Sequence, residues 1–129
     1  MRGPYPARPA ARTQDGPVDV VEVVVTGPDA GWLAGYTRTV VEERLAACGH
    51  QLAAIRSVYR WQGVVHDEPE ARVALHTRAA LVPELVARTA ELHPYDVPCV
   101  LALPVSAGNE DYLRWVVAET REPGGVAAR

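Results

Sequence analysis

The chain has 129 residues, 48% of them hydrophobic, and a formal net charge of −3. That length suits one domain with a single core. The mild acidity, with no lysine- or arginine-rich run interleaved with aromatics, argues against a nucleic-acid partner. No apolar run approaches the ~20 residues that a membrane-spanning helix needs, and residues 1–17 lack the pattern of a secretory signal. A cytoplasmic protein is expected, in which Cys48 and Cys99 stay as thiols or ligands rather than a disulfide.

Residues 1–17 are rich in Pro, Gly, Ala and Arg without apolar periodicity, and are expected to form a disordered tail. The β-branched run from Val18 to Gly27 predicts a buried strand whose one interior charge, Glu22, needs a partner; an arginine, Arg56 or Arg60, or water at a subunit junction is expected to supply it. From Ala30 to Ala47, Leu33, Tyr36, Val40, Val41 and Leu45 recur at helical spacing. This predicts an amphipathic helix with Asp29 as N-cap, ending at Cys48 before Gly49.

Leu52 to Arg78 alternates in character and reverses at Gln62-Gly63, the pattern of a long hairpin. Pro69 cannot donate to a ladder, so its arm is expected to kink near Asp67–Glu70, whose carboxylates are read as solvated. A second helix is expected from Leu81 to Leu92, with Pro83 in its first turn, an apolar face of Val82, Leu85, Val86 and Leu92, and His93 at its end. The run from Cys99 to Val105 reads as a buried fourth strand. Asn109 then caps a closing helix with Glu110 and Asp111 in its first turn. Residues 122–129 are expected to be a flexible tail.

The resulting order is β-α-β-β-α-β plus a C-terminal helix, an α+β ferredoxin-like sandwich with an antiparallel sheet spanning residues 18–121. Both main helices cover one face of that sheet, and the other face is expected to be bare. A bare apolar face calls for a partner, most economically further copies of the chain in a closed ring.

Five segments, VVEERLAACGH (residues 40–50), SVYRWQG (57–63), HTR (76–78), ELHPYDVPCV (91–100) and DYLRWV (111–116), occur in an order and spacing that resembles the CutA divalent-cation tolerance family. The resemblance implies a homotrimer with pockets between subunits and an association with copper or another divalent cation. Where the family pattern commonly has Asn, Lys and Glu, this chain has His50, His76 and Cys99. Imidazole and thiol suit copper and zinc better than the groups they replace.

The candidate metal ligands are therefore His93, Cys99, Cys48, His50 and His76, all near expected element ends, with no compact C-x-x-C or H-x-x-x-H pair among them. Four of these also have an ordinary alternative: Cys48 and Cys99 as small buried hydrophobes, His93 as a helix end, His76 as a strand residue. His66, beside the acidic hairpin segment, is expected to be solvated. Tyr59, Trp61, Tyr95, Tyr112 and Trp115 are candidates for a pocket or subunit interface. No serine-histidine-acid set, Walker loop or H-E-x-x-H is present, and no enzymatic activity is expected. A metal-binding trimer for buffering or sensing is the leading expectation. The alternative is a PII-like signalling trimer with small-molecule sites between subunits, for which Arg56, Arg60 and Arg78 are the available cations.

Overall fold

The computed structural model describes residues 19–125. Four strands, β1 (Val20–Gly27), β2 (Cys48–Trp61), β3 (Val64–Arg78) and β4 (Val100–Pro104), form one antiparallel sheet in the order β2-β3-β1-β4. Helices α1 (Ala30–Glu42) and α2 (Val82–Leu92) join them in the expected succession, and α3 (Glu110–Glu119) closes the chain. This is the ferredoxin-like arrangement. Among the described residues, no helix is long and apolar enough to cross a membrane. The expectations for residues 1–17 and 126–129 lie outside the described residues.

Alternation along β1 separates two faces. Val21, Val23 and Val25 join Val73 and Leu75 of β3 and Leu33, Tyr36, Val40 and Leu85 of α1 and α2 in the main core. Val20, Glu22 and Val24 point the other way, as the period of two requires. Asp29 caps α1 by accepting a hydrogen bond from the Trp32 amide at 2.8 Å, and Asn109 caps α3 through the Asp111 amide at 3.0 Å. Both caps stand where the sequence put them. Gln62 and Gly63 both take positive φ, at 50° and 79°, the two-residue geometry that matches strand twist and closes the β2–β3 hairpin.

Four expectations need correction. Helix α1 stops at Glu42, and Cys48 opens β2 rather than closing the helix. The terminator is Arg44, in the left-handed region at φ 63°, after which the Leu45 and Ala46 amides fold back onto the Val40 carbonyl. Second, the irregularity of the hairpin lies in β2, between Leu52 and Ile55, where Ala54 has φ 60°. β3 runs straight through Pro69, because β1 pairing ends at Ala71 and the missing N–H can face an open edge. Third, Val86 of α2 is exposed, and Thr89 takes its place in the core. The Thr89 hydroxyl donates to the Leu85 carbonyl at 2.7 Å and contacts the Tyr36 hydroxyl at 2.6 Å, so its polar atom is satisfied.

Fourth, the second sheet face is not wholly bare. α3 lies over one end of it, where Val116 packs with Val20 and Ala47 and is flanked by Tyr112, Leu113 and Trp115. The rest stays open, with Leu52, Leu101 and Leu103 exposed, so β4 is an exposed edge strand in the single chain rather than the buried strand that its apolar run predicts.

Gly49 lies where α1 packs closely on the sheet: a Cβ there would lie 2.6 Å from Thr37 Cγ2 and 2.9 Å from Leu75 Cδ2. Leu75 is fully buried and cannot retreat. Gly49→Ala is expected to destabilise the protein by about 1–3 kcal/mol, the cost of overpacking a filled core. Denaturant unfolding at fixed protein concentration measures it.

Candidate metal centre

On the face shared with α3, the sheet register sets a row of polar side chains. His76 of β3 lies directly opposite Glu22 of β1 on one side and Cys48 of β2 on the other. His50, two residues along β2, points to the same face, and its ring meets that of His76 edge-on at 5.3 Å between centroids. Tyr112 reaches the row from α3. The ligand atoms of Cys48, His50 and His76 all lie within 4.8 Å of one another.

The hydrogen bonds order the row. The Glu22 carboxylate accepts from His76 Nε2–H at 3.0 Å, which leaves Nδ1 of the neutral ring as an acceptor. The Tyr112 hydroxyl contacts that Nδ1 and lies 3.2 Å from Cys48 Sγ. Sγ itself is 3.7 Å from Nδ1. Glu22 is thus partnered by histidine, not by arginine. Arg56 instead makes a bidentate pair with Asp67, both contacts at 2.7 Å.

The other candidates stand elsewhere. His93 caps the C-terminus of α2 and is buried. Its Nε2–H donates to the Thr26 carbonyl at 2.7 Å, and its Nδ1 accepts from the Tyr95 amide at 3.1 Å. Both ring nitrogens are committed to tying α2 to the end of β1. Thr26 is four residues along β1 from Glu22, roughly 13 Å at the rise of a strand. Cys99 is exposed, one residue ahead of β4, and lies outside the cluster.

The aromatic candidates also divide. Tyr112 lies beside Trp115, 5.6 Å between centroids. Tyr59 lies on the hairpin, stacked on His66 at 5.1 Å and donating to Glu68, while Tyr95 donates to Glu70 at 2.9 Å. Trp61 is exposed at the hairpin end. The acidic hairpin segment is therefore exposed but engaged, not merely solvated, and His66 sits 3.7 Å from Glu68.

At the far end of α3 a cavity of about 480 Å³ is lined by Arg44, Arg78, Arg121 and Glu122 among others. These cations are already occupied. Arg44 donates to the Ala118 carbonyl, Arg78 to those of Val117 and Thr120, and Arg121 pairs with Glu84. Cations here satisfy the last carbonyls of the helix and oppose its dipole.

The roles of Glu22 and Tyr112 within the cluster were not assigned from the sequence. The signal for Glu22 was its isolation as the one charge inside a buried strand. For Tyr112 there was none, since the contact crosses between elements far apart in the chain.

The hydrogen bond to Cys48 raises the His76 pKa above its ordinary 6.5; burial opposes this and Glu22 adds to the rise. Glu22, Cys48, His50 and Tyr112 face the ring. A raised folded-state pKa means that protonated His76 contributes stability fully below the unfolded value, and that this contribution is lost as pH rises through the folded value. In metal-depleted protein, the stability gap between wild type and His76→Gln is expected to narrow as pH rises from about 5 to about 8. Denaturant unfolding across that range reads the gap, and a gap that widens would contradict the assignment.

A family model described as CutA1 divalent ion tolerance protein matches residues 21–119. The chain is similar to the divalent-cation tolerance protein CutA of Pyrococcus horikoshii, 39% identical over 103 residues, covering 80% of this chain and 100% of that protein. It is 37% identical to Protein CutA of Mus musculus over 129 residues, covering 97% of this chain and 73% of that one. Among solved structures, CutA1 from Oryza sativa superposes with a TM-score of 0.79 at 37% identity, covering 81% and 96% of the two chains. The divalent cation tolerance protein from Thermus thermophilus superposes at 0.77 with 37% identity, covering 79% and 99%. With its sheet order, its element succession and almost all of its folded core inside that match, this chain belongs to the CutA1 divalent ion tolerance family.

Proposed function

We propose that this chain is a cytoplasmic homotrimer that binds a soft-to-borderline metal ion, copper or zinc, to buffer or sense it, and that it has no catalytic role. The observation that carries the reading is the convergence of one thiol and two imidazoles, Cys48, His50 and His76, within 4.8 Å. Such a mixed sulfur and nitrogen set suits copper and zinc, whereas magnesium and calcium take oxygen cages. Glu22 behind His76 supplies the outer carboxylate that commonly orients a ligating imidazole. The relatives named above for divalent-cation tolerance agree with it. The PII-like alternative is less favoured, because Arg56 is paired with Asp67 and Arg78 is spent on the end of α3.

The trimer part of the proposal draws on the open sheet face. Leu101 and Leu103 are 60% and 47% exposed on the face that carries Glu22, and β2 and β4 are both edge strands. Exposed apolar area beside unpaired edges is relieved by assembly.

Two measurements test these readings. Titration of chelator-treated protein with zinc, and with copper(I) under reducing conditions, is expected to show binding that magnesium and calcium do not compete away. Cys48→Ser and the His50→Ala/His76→Ala double variant should lose it, while Cys99→Ser keeps it. His93→Ala should keep metal affinity too but lose stability by about 1–3 kcal/mol, since it leaves the Thr26 carbonyl and Tyr95 amide unsatisfied. Light scattering of the native protein is expected to give three times the chain mass at micromolar concentration; a monomer mass defeats the assembly proposal.

A further inference from the structure

We propose that Tyr112 is the fourth donor of this centre, completing a set of two nitrogens, one sulfur and one phenol oxygen, and that it selects zinc(II) over copper(I). The inference rests on the metal-binding reading above and adds to it the identity of the fourth ligand and its consequence for selectivity.

Zinc held for structure or storage takes four tetrahedral protein ligands, and three leave a position open. Cys48, His50 and His76 make three. With metal–sulfur and metal–nitrogen distances near 2.3 and 2.05 Å, a tetrahedron separates sulfur from nitrogen by about 3.6 Å. The Cys48 Sγ to His76 Nδ1 distance is 3.7 Å. This pair therefore already spans a tetrahedral edge.

The Tyr112 oxygen lies close to both ends of that edge, 3.2 Å from Sγ and in contact with Nδ1. It bridges the two donors as a phenol, giving its proton to Nδ1. An ion between the same atoms would displace that proton and the thiol proton to solvent and bind the two conjugate bases. The phenol oxygen would need to retreat by only roughly 1 Å to reach a tetrahedral separation.

The helix that carries Tyr112 is fixed at both ends, by the Asn109 cap and by Thr120, Arg78 and Arg44 at its C-terminus, and Val116 anchors its middle. The donor is thus preorganised. Glu22, holding His76 Nε2–H, aims the Nδ1 lone pair at the same point.

Selectivity follows from donor character. A phenolate is a hard oxygen ligand that strengthens binding of zinc(II), whereas copper(I) is satisfied by thiolate and imidazole and gains little from it.

The test is a zinc titration of metal-depleted wild type and Tyr112→Phe, followed by ultraviolet difference spectroscopy, with a parallel anaerobic copper(I) titration against a competing chelator. The wild type should develop a tyrosinate difference spectrum that saturates at one zinc per chain. Tyr112→Phe should lack that signal, lose at least about tenfold in zinc affinity and keep its copper(I) affinity, which also reports that the variant is folded. Glu22→Gln should weaken both metals. No tyrosinate signal in the wild type, or equal zinc affinity in Tyr112→Phe, overturns the role of Tyr112 while leaving the three-ligand reading intact. Zinc binding that survives Cys48→Ser together with His50→Ala/His76→Ala overturns both.

Discussion

The cross-strand register of β1, β3 and β2 governs the rest of this molecule. It sets Glu22, His76 and Cys48 side by side across three strands that are far apart in sequence. The same register sets Val23 against Leu75 and Val25 against Val73 on the opposite face, where all four are fully buried. A slip of one residue would turn those side chains out to water and bring the polar row into the core. Each buried aliphatic side chain contributes about 1.5–3 kcal/mol. The core therefore enforces the alignment of the polar row, which needs no covalent link of its own.

A second constraint places α3. The left-handed turn at Arg44 that ends α1 does two other things at once. Its carbonyl accepts from the Arg121 amide at 2.9 Å, and its guanidinium donates to the Ala118 carbonyl at 2.8 Å. The residue that lets the chain leave α1 for β2 thus also holds the end of α3. A non-glycine residue in that backbone region carries a steric cost, and the two contacts offset it. Because Arg44 lies four residues before Cys48, the entry into β2 and the helix that carries Tyr112 are fixed relative to each other.

Much of the architecture was legible because it depends on local signals. Asp29 and Asn109 as caps, Gln62-Gly63 as a reversal and Pro83 in a first turn act through their own backbone neighbourhood. The period of β1 revealed two faces and the demand of Glu22 for a partner. Periodicity says nothing about which strand is adjacent or in what register, so histidine rather than arginine could not be read from it. The end of α1 was misplaced for a related reason. Leu45, Ala46 and Ala47 are buried and continue an apolar pattern, but they do so in a loop held by the Val40 carbonyl and the His76 carbonyl. At the candidate centre, the residue types were legible while their convergence was not: Cys48, His50 and His76 come together, and His93 is drawn to Thr26 by a carbonyl that no sequence pattern announces.

Among the described residues, the β2–β3 arm beyond Ala71 pairs only with itself. A two-stranded ribbon in water is marginal, and the Arg56–Asp67 pair across it is exposed, the kind of ion pair that contributes at most about 1 kcal/mol. Val58, Val64 and Val65 stand exposed along the same arm, so its own contacts leave apolar area uncovered that the proposed assembly would bury. β2 is also the strand that begins with Cys48 and His50, and the irregularity at Leu52–Ile55 separates its two halves. Ordering the outer half by assembly and the inner half by a bound ion would restrict one continuous backbone from both ends. The two proposed events would then favour each other through the entropy of a shared strand, without requiring contact between the interface and the ion.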